Sequence, residues 1–325
     1  NGSHFVDKIP INQTIFARDK IFGYETSDVK NLLFQKSKSQ LNIDDIQNIL
    51  LSDISILNNE ENNIVLRKIK DLKNNKHVIV DIENYSQLQK FCLVVKELTK
   101  QKKFLFRTAA SFISSISDKK SIAHDEIFFS NFRLKNKDNM FLPGLVIVGS
   151  YVELSTLQLK NLLQKSSCMP IELDVFEFFR ITSSENTQKY RNLFKKKCLK
   201  EIRFCFEKGK TPVLYTSRKI MSLENSKQFN FYNSLALFIA ELVADLKNEI
   251  GYLISKGGIT TNVILSNGLN AEYVYLQGQI LTGISLVTYN LNNNAKLPIV
   301  TFPGNIGTKD SLLKVWNILE DKRNF

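Results

Sequence analysis

Four short stretches of the sequence, each polar or containing glycine, stand at the point where an apolar run ends. Glycine turns of this kind expose backbone N–H groups at the start of a helix, which favours a bound anion. One of them alone indicates only a turn, but four at one sheet edge suit a phosphate site. Hydroxyls at Thr260 and Thr261 could donate to phosphate or offer an oxygen to Mg²⁺. The stretches are VGS (148–150), YTSR (215–218), KGGITT (256–261) and FPGNIG (302–307).

Two common nucleotide-binding motifs are absent from the sequence. It contains no GxxxxGK[ST] P-loop, and no GxGxxG follows a predicted strand. A phosphate cradle formed by these glycines must therefore be of another type.

Alternating strand and helix patterns predict where these stretches lie. Short apolar strands alternating with helices predict an α/β fold of two domains, each a mainly parallel sheet with helices on both faces. Ligands of such sheets bind beyond the carboxyl ends of the strands, where the four stretches fall. We predict helices within 27–75 and at 86–101, 155–166 and 231–250, with Ser155 or Thr156 as a cap. We predict strands at 77–82, 103–108, 144–150, 169–175 and 211–218, and antiparallel strands within 272–289.

The domain boundary is predicted from a polar segment without periodicity. The length of 325 residues is typical of about two domains. Residues 117–140 are charged and lack a clean apolar pattern, so we assign a linker to 121–140. This gives a first domain at 1–120 and a second at 141–325.

Composition favours an ordinary globular protein of a reducing compartment. The net charge of +12 comes mainly from lysines spread along the chain, which predicts no nucleic-acid partner. No apolar run is long enough to span a bilayer, so no membrane partner is predicted. The four cysteines form no CxxC pair and no signal peptide is present, which favours the cytoplasm.

Several strings, taken in order, resemble the four-carbon acid sugar kinases. The second half of the chain resembles that family's C-terminal nucleotide-binding domain, and the front resembles the later part of its sugar-binding domain. The two most diagnostic motifs, KGGITT and PGNIG, are intact. The strings are INQTIFARDKIFGYETSDVKNLL, HVIVDIENYSQL, FLFRTAASFISSI, LVIVGSYVELSTLQL, VLYTSR, LISKGGITTNVIL, LQGQILTGI and TFPGNIGTKDSLLKV.

The resemblance implies an ATP-dependent kinase that phosphorylates the terminal hydroxyl of threonate, erythronate or an oxo-tetronate. Mg²⁺ would accompany the ATP, no metal ligand is assigned, and a homo-oligomer is an open alternative. The family's DDxTG stretch is absent, which we interpret as an N-terminal truncation. The resemblance assigns ATP binding to Ser150, Gly258, Ile259, Thr260, Thr261 and Gly304.

Other residues are weaker candidates with ordinary structural alternatives. Arg107 could bind the substrate carboxylate through its guanidinium, or form a surface ion pair. Asp19 could face the sugar, although loop aspartates commonly make turns. Arg218 could stabilise the transferred phosphoryl group, or cap a helix or form an interdomain pair. Asp310 could bind Mg²⁺, or stabilise the dipole of the last helix.

Two other functions remain open from the sequence. A non-catalytic nucleotide-binding sensor or interaction protein of the same fold is favoured by the missing DDxTG stretch. A nucleic-acid-binding protein would need a clustered face of arginines and aromatic residues, and the sequence has none.

Overall fold

The computed structural model describes most of the chain in two compact units. The units are Asn1–Ser121 and Ile122–Phe325. The described residues are 2–6, 8–14, 17, 23–38, 40–55, 64–73, 76–117, 124–218, 225–291 and 295–320, without the side chains of 55 and 225–229.

The first unit is built around one amphipathic helix. The Asn84 side chain caps the helix α4 by accepting a hydrogen bond from the Gln87 N–H. The Gln87 side chain in turn accepts a hydrogen bond from the Asn84 N–H. Apolar residues at helical spacing, from Leu88 to Leu98, form the core of this unit. The helices are α1 Val29–Lys36, α2 Leu51–Ser55, α3 Ile64–Lys70, α4 Tyr85–Leu98 and α5 Ala110–Ile116. The strands are β1 Phe5–Val6, β2 Ile9–Pro10, β3 Ile46–Ile49 and β4 His77–Val80.

Two sequence predictions for this unit were wrong in detail. Residues within 27–75 are not all helical, since β3 pairs in parallel with β4 and buries Ile46 and Ile49. Ile49 joins the core that contains the apolar face of α4, and the pairing of β3 with β4 holds the segment extended, so tertiary pairing overrides the local helical pattern. The strand predicted at 103–108 does not join the sheet, and residues 102–109 have no regular structure before α5. The described parallel sheet of this unit therefore has two strands.

The second unit contains a seven-stranded sheet with the order β6-β7-β5-β8-β11-β10-β9. The run from β6 to β11 is parallel, whereas β10 and β9 are antiparallel to their neighbours. The antiparallel strands predicted within 272–289 are thus confirmed. The strands are β5 Gly144–Val148, β6 Cys168–Leu173, β7 Thr211–Thr216, β8 Tyr252–Lys256, β9 Tyr275–Leu281, β10 Ile284–Asn290 and β11 Lys296–Phe302.

Helices cover both faces of this sheet, as predicted for the fold class. Alternate residues of β5 point to opposite cores: Leu145 and Ile147 to one, Val146 and Val148 to the other. The first core is closed by α8 to α11, and the second by α6, α7 and α12. The helices are α6 Glu126–Ser130, α7 Glu153–Leu162, α8 Val175–Thr182, α9 Thr187–Glu207, α10 Asn225–Leu246, α11 Gly258–Val263 and α12 Ser311–Glu320.

The segment predicted as a linker belongs to the second unit over its described residues. It contains α6, whose Phe129 is 1% exposed and packs into the second core. Arg133 is also buried and donates from Nε to the Leu142 carbonyl at 3.0 Å. The high charge of 117–140 concealed this short aromatic anchor, so the boundary lies nearer 121.

A buried polar network ties α12 to the amino ends of the strands. Glu320 accepts from the Tyr252 hydroxyl at 2.7 Å and from Arg133 at 2.8 Å. Thr211 donates to the same carboxylate and accepts from the Trp316 indole at 3.1 Å. Since α12 begins beside the last glycine loop, this network also supports that loop.

The predictions about membrane segments and cysteines can be compared with the same residues. In the described ranges, no helix combines the length and apolar character needed to cross a bilayer. Cys92, Cys168, Cys198 and Cys205 are buried free thiols. Burial raises the pKa of Cys168 and of Cys198 to about 12.

Candidate functional site

A crevice opens at the carboxyl edge of the large sheet, between β5 and β8. The chain leaves β5 toward α7 on one face and leaves β8 toward α11 on the other. Because the two neighbouring strands send their helices to opposite faces, this is the switch point at which α/β sheets bind ligands. The loop after β11 reaches the same edge.

Gly149 and Gly257 bring the loops of β5 and β8 into close contact. The Lys256 carbonyl accepts from the N–H groups of Gly149 and Ser150 at 3.0 and 3.3 Å. A Cβ at Gly149 would lie 2.1 Å from the Thr260 hydroxyl oxygen, so only glycine fits. Gly257 has φ +125°, a conformation that L side chains rarely adopt.

The second glycine of KGGITT has a different environment from the first. Gly258 opens α11 with no heavy atom within 4 Å of a Cβ built on it, and its φ is not positive. The positive φ of this turn falls on Gly257. Ile259 beside it is 72% exposed. The start of α11 thus presents an open backbone and an apolar side chain, which suits a phosphate and a flat ring.

The two threonines of KGGITT also differ. The Thr261 hydroxyl donates to the Ser255 carbonyl at 3.1 Å and lies 2.8 Å from the Ser255 hydroxyl. It is thus engaged inside the strand–helix junction rather than available to a ligand. The Thr260 hydroxyl forms no hydrogen bond to any residue that the structure describes. It lies against Gly149, where it is free to donate.

The loop after β11 is fixed against the start of α7 by buried polar side chains. Ser155 donates to the Gly304 carbonyl at 2.7 Å, and Gln158 donates to the carbonyls of Ile306 and Thr308 at 3.1 and 2.7 Å. A Cβ at Gly304 would lie 2.5 Å from the Ser150 hydroxyl oxygen. The loops that carry Ser150 and Gly304 are therefore in contact.

The prediction that Ser155 or Thr156 caps the helix was wrong. The helix α7 begins at Glu153 after Val152, and no side chain caps it. Ser155 reaches the Gly304 carbonyl instead, and the Thr156 hydroxyl donates back to the Val152 carbonyl at 3.3 Å. The Ser155 hydroxyl, which the local pattern assigned to capping, therefore makes a long-range hydrogen bond instead.

Arg218 holds the first loop from the side of β7. Its guanidinium donates to the carbonyls of Ser150 and Val148. Burial lowers the pKa of Arg218, and its Nε is buried without a partner among the described residues. Arg218 therefore places a positive charge behind Ser150 while it positions the loop.

Asp310 lies just before α12 rather than within its first turn. Its carbonyl accepts from the Lys314 N–H at 2.9 Å, and its Oδ1 accepts from Asn161 at 2.9 Å. No three metal-ligating His, Cys, Asp or Glu side chains gather in the described part of the chain. Mg²⁺ that binds together with phosphates needs only one or two carboxylates from the protein, and Asp310 could supply one of them.

Both substrate candidates fall within residues 1–121, the first unit. Arg107 lies in the first unit, where it is exposed and forms no ion pair with a described residue. Asp19 lies outside the described residues. Both assignments stay predictions.

Sequence reasoning missed several residues that shape the crevice. Gly149 and Gly257 were quoted within motifs but given no role, and Ser155, Gln158 and Lys256 were not assigned to the site. The sequence did indicate a special role for Ser155 and Gln158, because these polar residues stand on the apolar face of a predicted helix. Such residues are buried only when hydrogen-bonded, which points to a partner elsewhere in the chain.

Comparison with known families agrees with this architecture. Residues 145–312 match the nucleotide-binding C-terminal domain, and residues 1–116 match the sugar-binding N-terminal domain. The nucleotide-binding match alone covers more than half of the chain. The chain therefore belongs to the family that combines these two domains, and it has the two-domain architecture of the four-carbon acid sugar kinases.

Two solved structures are similar at low sequence identity. The "putative tRNA synthase" from Salmonella typhimurium LT2 is 14% identical, with a TM-score of 0.57, over 96% of this chain and 68% of that chain. A domain of unknown function from Bordetella bronchiseptica, crystallised with citrate as a domain-swapped dimer, is 16% identical, with a TM-score of 0.44, over 98% and 67%. The chain spans about two thirds of the length of each. The first structure supports the fold alone, and no curated protein matches the chain.

Proposed function

We propose that the protein is an ATP-dependent kinase acting on the terminal hydroxyl of a four-carbon acid sugar. The sugar-binding domain would hold the acid, of the threonate, erythronate or oxo-tetronate type. The nucleotide-binding domain would hold ATP at the crevice between β5 and β8. Family membership supports the pairing of a sugar with a nucleotide.

One observation carries the ATP site. At the switch point, the open start of α11 stands beside the Thr260 hydroxyl, which has no partner among the described residues. Backbone N–H groups at a helix start favour phosphate, and a free hydroxyl adds a donor. Ser150 and Gly304 line the opposite side of the same crevice.

Each element of the site has a separate task in this proposal. Gly258 and Thr260 would bind phosphate oxygens, and the exposed Ile259 would pack against the base. Thr261 would hold α11 against β8 through Ser255. Arg218 would keep Ser150 in place and add positive charge, which stabilises transferring phosphoryl groups.

Mg²⁺ would neutralise phosphate charge when bound with ATP. Asp310 could bind it through the carboxylate oxygen that Asn161 does not occupy. The general base that deprotonates the sugar hydroxyl is not assigned to any residue.

The proposed location is the cytoplasm. Four buried free thiols support a reducing compartment, because none forms a disulfide. Neither nucleic acid nor membrane is proposed as a partner, and the homo-oligomer stays a prediction.

A non-catalytic nucleotide-binding protein of the same fold is the second candidate. The nucleotide-binding match would hold for this candidate as well as for a kinase. It predicts ATP binding without acid-dependent turnover.

Release of ADP in the presence of Mg²⁺, ATP and a panel of four-carbon sugar acids distinguishes the two. We expect ADP release that requires one of these acids and a phosphorylated product detectable by mass spectrometry. ATP binding with no acid-dependent ADP release would favour the non-catalytic candidate. Absence of ATP binding at millimolar concentration, with the protein folded, would exclude both.

A further inference from the structure

A fully buried lysine ends β8 directly below the glycine loops. The side chain of Lys256 is 0% exposed, and its Nζ lies 3.8 Å from the centre of the Phe302 ring. Nζ donates to the carbonyls of Pro303 and Gly304 at 3.0 and 3.3 Å. A buried ammonium usually pairs with a carboxylate, because removing a lone charge from water is unfavourable. Among the described residues, no carboxylate forms an ion pair with Lys256.

The charged residues of the neighbouring elements leave this lysine without a counter-charge. Those around the glycine loops include Glu153 and Lys160 on α7, Arg218 after β7, and Lys309 and Asp310 before α12, and the described hydrogen bonds of Nζ go only to the Pro303 and Gly304 carbonyls. Burial lowers the pKa of the Lys256 ammonium to about 7 and is the only cause of that shift. Near neutral pH the unliganded protein therefore holds both the charged and the neutral amine.

Lys256 is connected to every loop of the candidate ATP site. Its backbone carbonyl accepts from Gly149 and Ser150, and its ammonium binds the Gly304 carbonyl that Ser155 also binds. A polyanion bound at these loops would be separated from the ammonium by little more than one layer of backbone. In an interior shielded from water, such an anion strongly favours the charged amine.

We propose that Lys256 is the buried counter-charge of the bound phosphates, and that nucleotide binding is coupled to uptake of one proton by its amine. The inference rests on the proposed nucleotide site. Lys256 would not touch the nucleotide itself. It is therefore a positioning residue, which acts through the Gly304 loop and through its charge.

The direction of the coupling follows from the two protonation states. A bound anion raises the pKa of an amine, so the complex holds more protons than the free protein at pH values between the two pKa values. At pH 8 an amine with a pKa near 7 is about nine-tenths neutral, and at pH 6 it is about one-tenth neutral. Binding should therefore take up about 0.9 proton at pH 8 and about 0.1 at pH 6.

Calorimetry of MgATP binding to the full chain in two buffers of different ionisation enthalpy measures this number. The phosphates of MgATP are fully ionised at pH 8, so the uptake belongs to the protein. We expect Lys256→Arg, whose charge is permanent, to bind MgATP within about threefold of the parent with no proton uptake. We expect Lys256→Met to lose the uptake and at least about tenfold in affinity. Lys160→Met, at an exposed position of α7, is the control and should change neither quantity.

Each outcome decides between the inference and the proposed function. MgATP binding with less than about 0.2 proton taken up at pH 8 overturns the inference and leaves the nucleotide site intact. Proton uptake by Lys256→Arg equal to that of the parent likewise overturns the inference and leaves the nucleotide site intact. Absence of MgATP binding by the parent overturns both. If the variants do not fold, equal uptake by the parent at pH 6 and pH 8 still overturns the inference.

Discussion

At the scale of single residues, the two glycines of KGGITT have separable structural roles. Gly257 has φ +125° and lies close to Ser150, with 3.2 Å from a built Cβ to the Ser150 nitrogen. Gly258 has neither constraint. A requirement for glycine at 257 is therefore conformational, whereas a requirement at 258 would come from a ligand.

Replacing the two glycines in turn tests this difference. Gly257→Ala should lower the free energy of unfolding by more than about 1 kcal/mol, because alanine cannot relax at this φ. Gly258→Ala should leave that free energy within about 0.5 kcal/mol, since the position is open and begins a helix. If phosphate approaches the backbone at 258, its alanine variant should bind ATP at least about tenfold more weakly. Urea denaturation and ATP calorimetry measure the two effects, and parental ATP affinity in Gly258→Ala would exclude this approach.

The two adjacent threonines provide a matched pair of nearly isosteric substitutions. Thr260→Val removes a hydroxyl that has no described partner, so its melting temperature should stay near that of the parent. Its affinity for ATP should fall by about tenfold or more, since a hydrogen bond to a charged group contributes about 1.5–3 kcal/mol.

Thr261→Val should show the opposite balance. It removes the hydrogen bonds to Ser255 inside the strand–helix junction, so unfolding should become easier by about 1–3 kcal/mol. Its ATP affinity, measured under conditions in which it is folded, should change less than that of Thr260→Val. The reverse ranking in calorimetry would contradict the assignment of the two hydroxyls.

At the scale of elements, α12 holds the last glycine loop in place from its far end. The Glu320 carboxylate at the end of α12 accepts from Tyr252, Thr211 and Arg133. The side chain of Arg133 is 7% exposed, so the ion pair is almost shielded from water. Breaking a buried pair from one side leaves an uncompensated charge.

Alanine substitutions at two ion pairs of the same domain compare buried with exposed electrostatics. Glu320→Ala should destabilise the protein by about 3 kcal/mol or more, because it leaves the Arg133 guanidinium buried. Glu249→Ala is the control, because its pair with Arg203 is exposed and should contribute less than about 1 kcal/mol. Urea denaturation measures both changes. Similar values for the two variants would show that the Arg133 pair is not shielded.

At the scale of the whole molecule, every proposed ATP-binding residue lies in the second unit. Ser150, Gly304 and the 258–261 turn fall within Ile122–Phe325, which has its own sheet and two cores. A unit with its own core can fold alone in principle. All the residues to which ATP binding is assigned therefore come from the second unit.

A fragment of residues 122–325 tests this independence. We expect it to unfold cooperatively and to bind MgATP within about threefold of the full chain. MgATP should raise its melting temperature, because a ligand that binds only the folded state stabilises it. Differential scanning calorimetry with and without MgATP provides the measurement. A folded fragment that does not bind, beside a full chain that does, would show that the first unit contributes to the site.

The sequence alone determined the fold class and the region of the site. Short apolar runs such as GLVIV are typical of buried strands, and strands that alternate with helices imply a parallel sheet with ligands at its carboxyl edge. Glycines and hydroxyls at four strand ends therefore located the crevice. The aromatic anchor at Phe129 and the strand at 46–49 were missed, because their neighbours in space are remote in sequence.

Only the tertiary structure decided which residue of each motif does what. The strand order β7-β5-β8-β11 brings Gly149 to Thr260 and Gly304 to Ser150, and no local pattern contains that order. The same packing turns Thr261 inward and buries Lys256 without an ion pair to any carboxylate of the described residues. Backbone conformation and burial depend on contacts between distant segments, so they separate Gly257 from Gly258 where the sequence shows only two adjacent glycines.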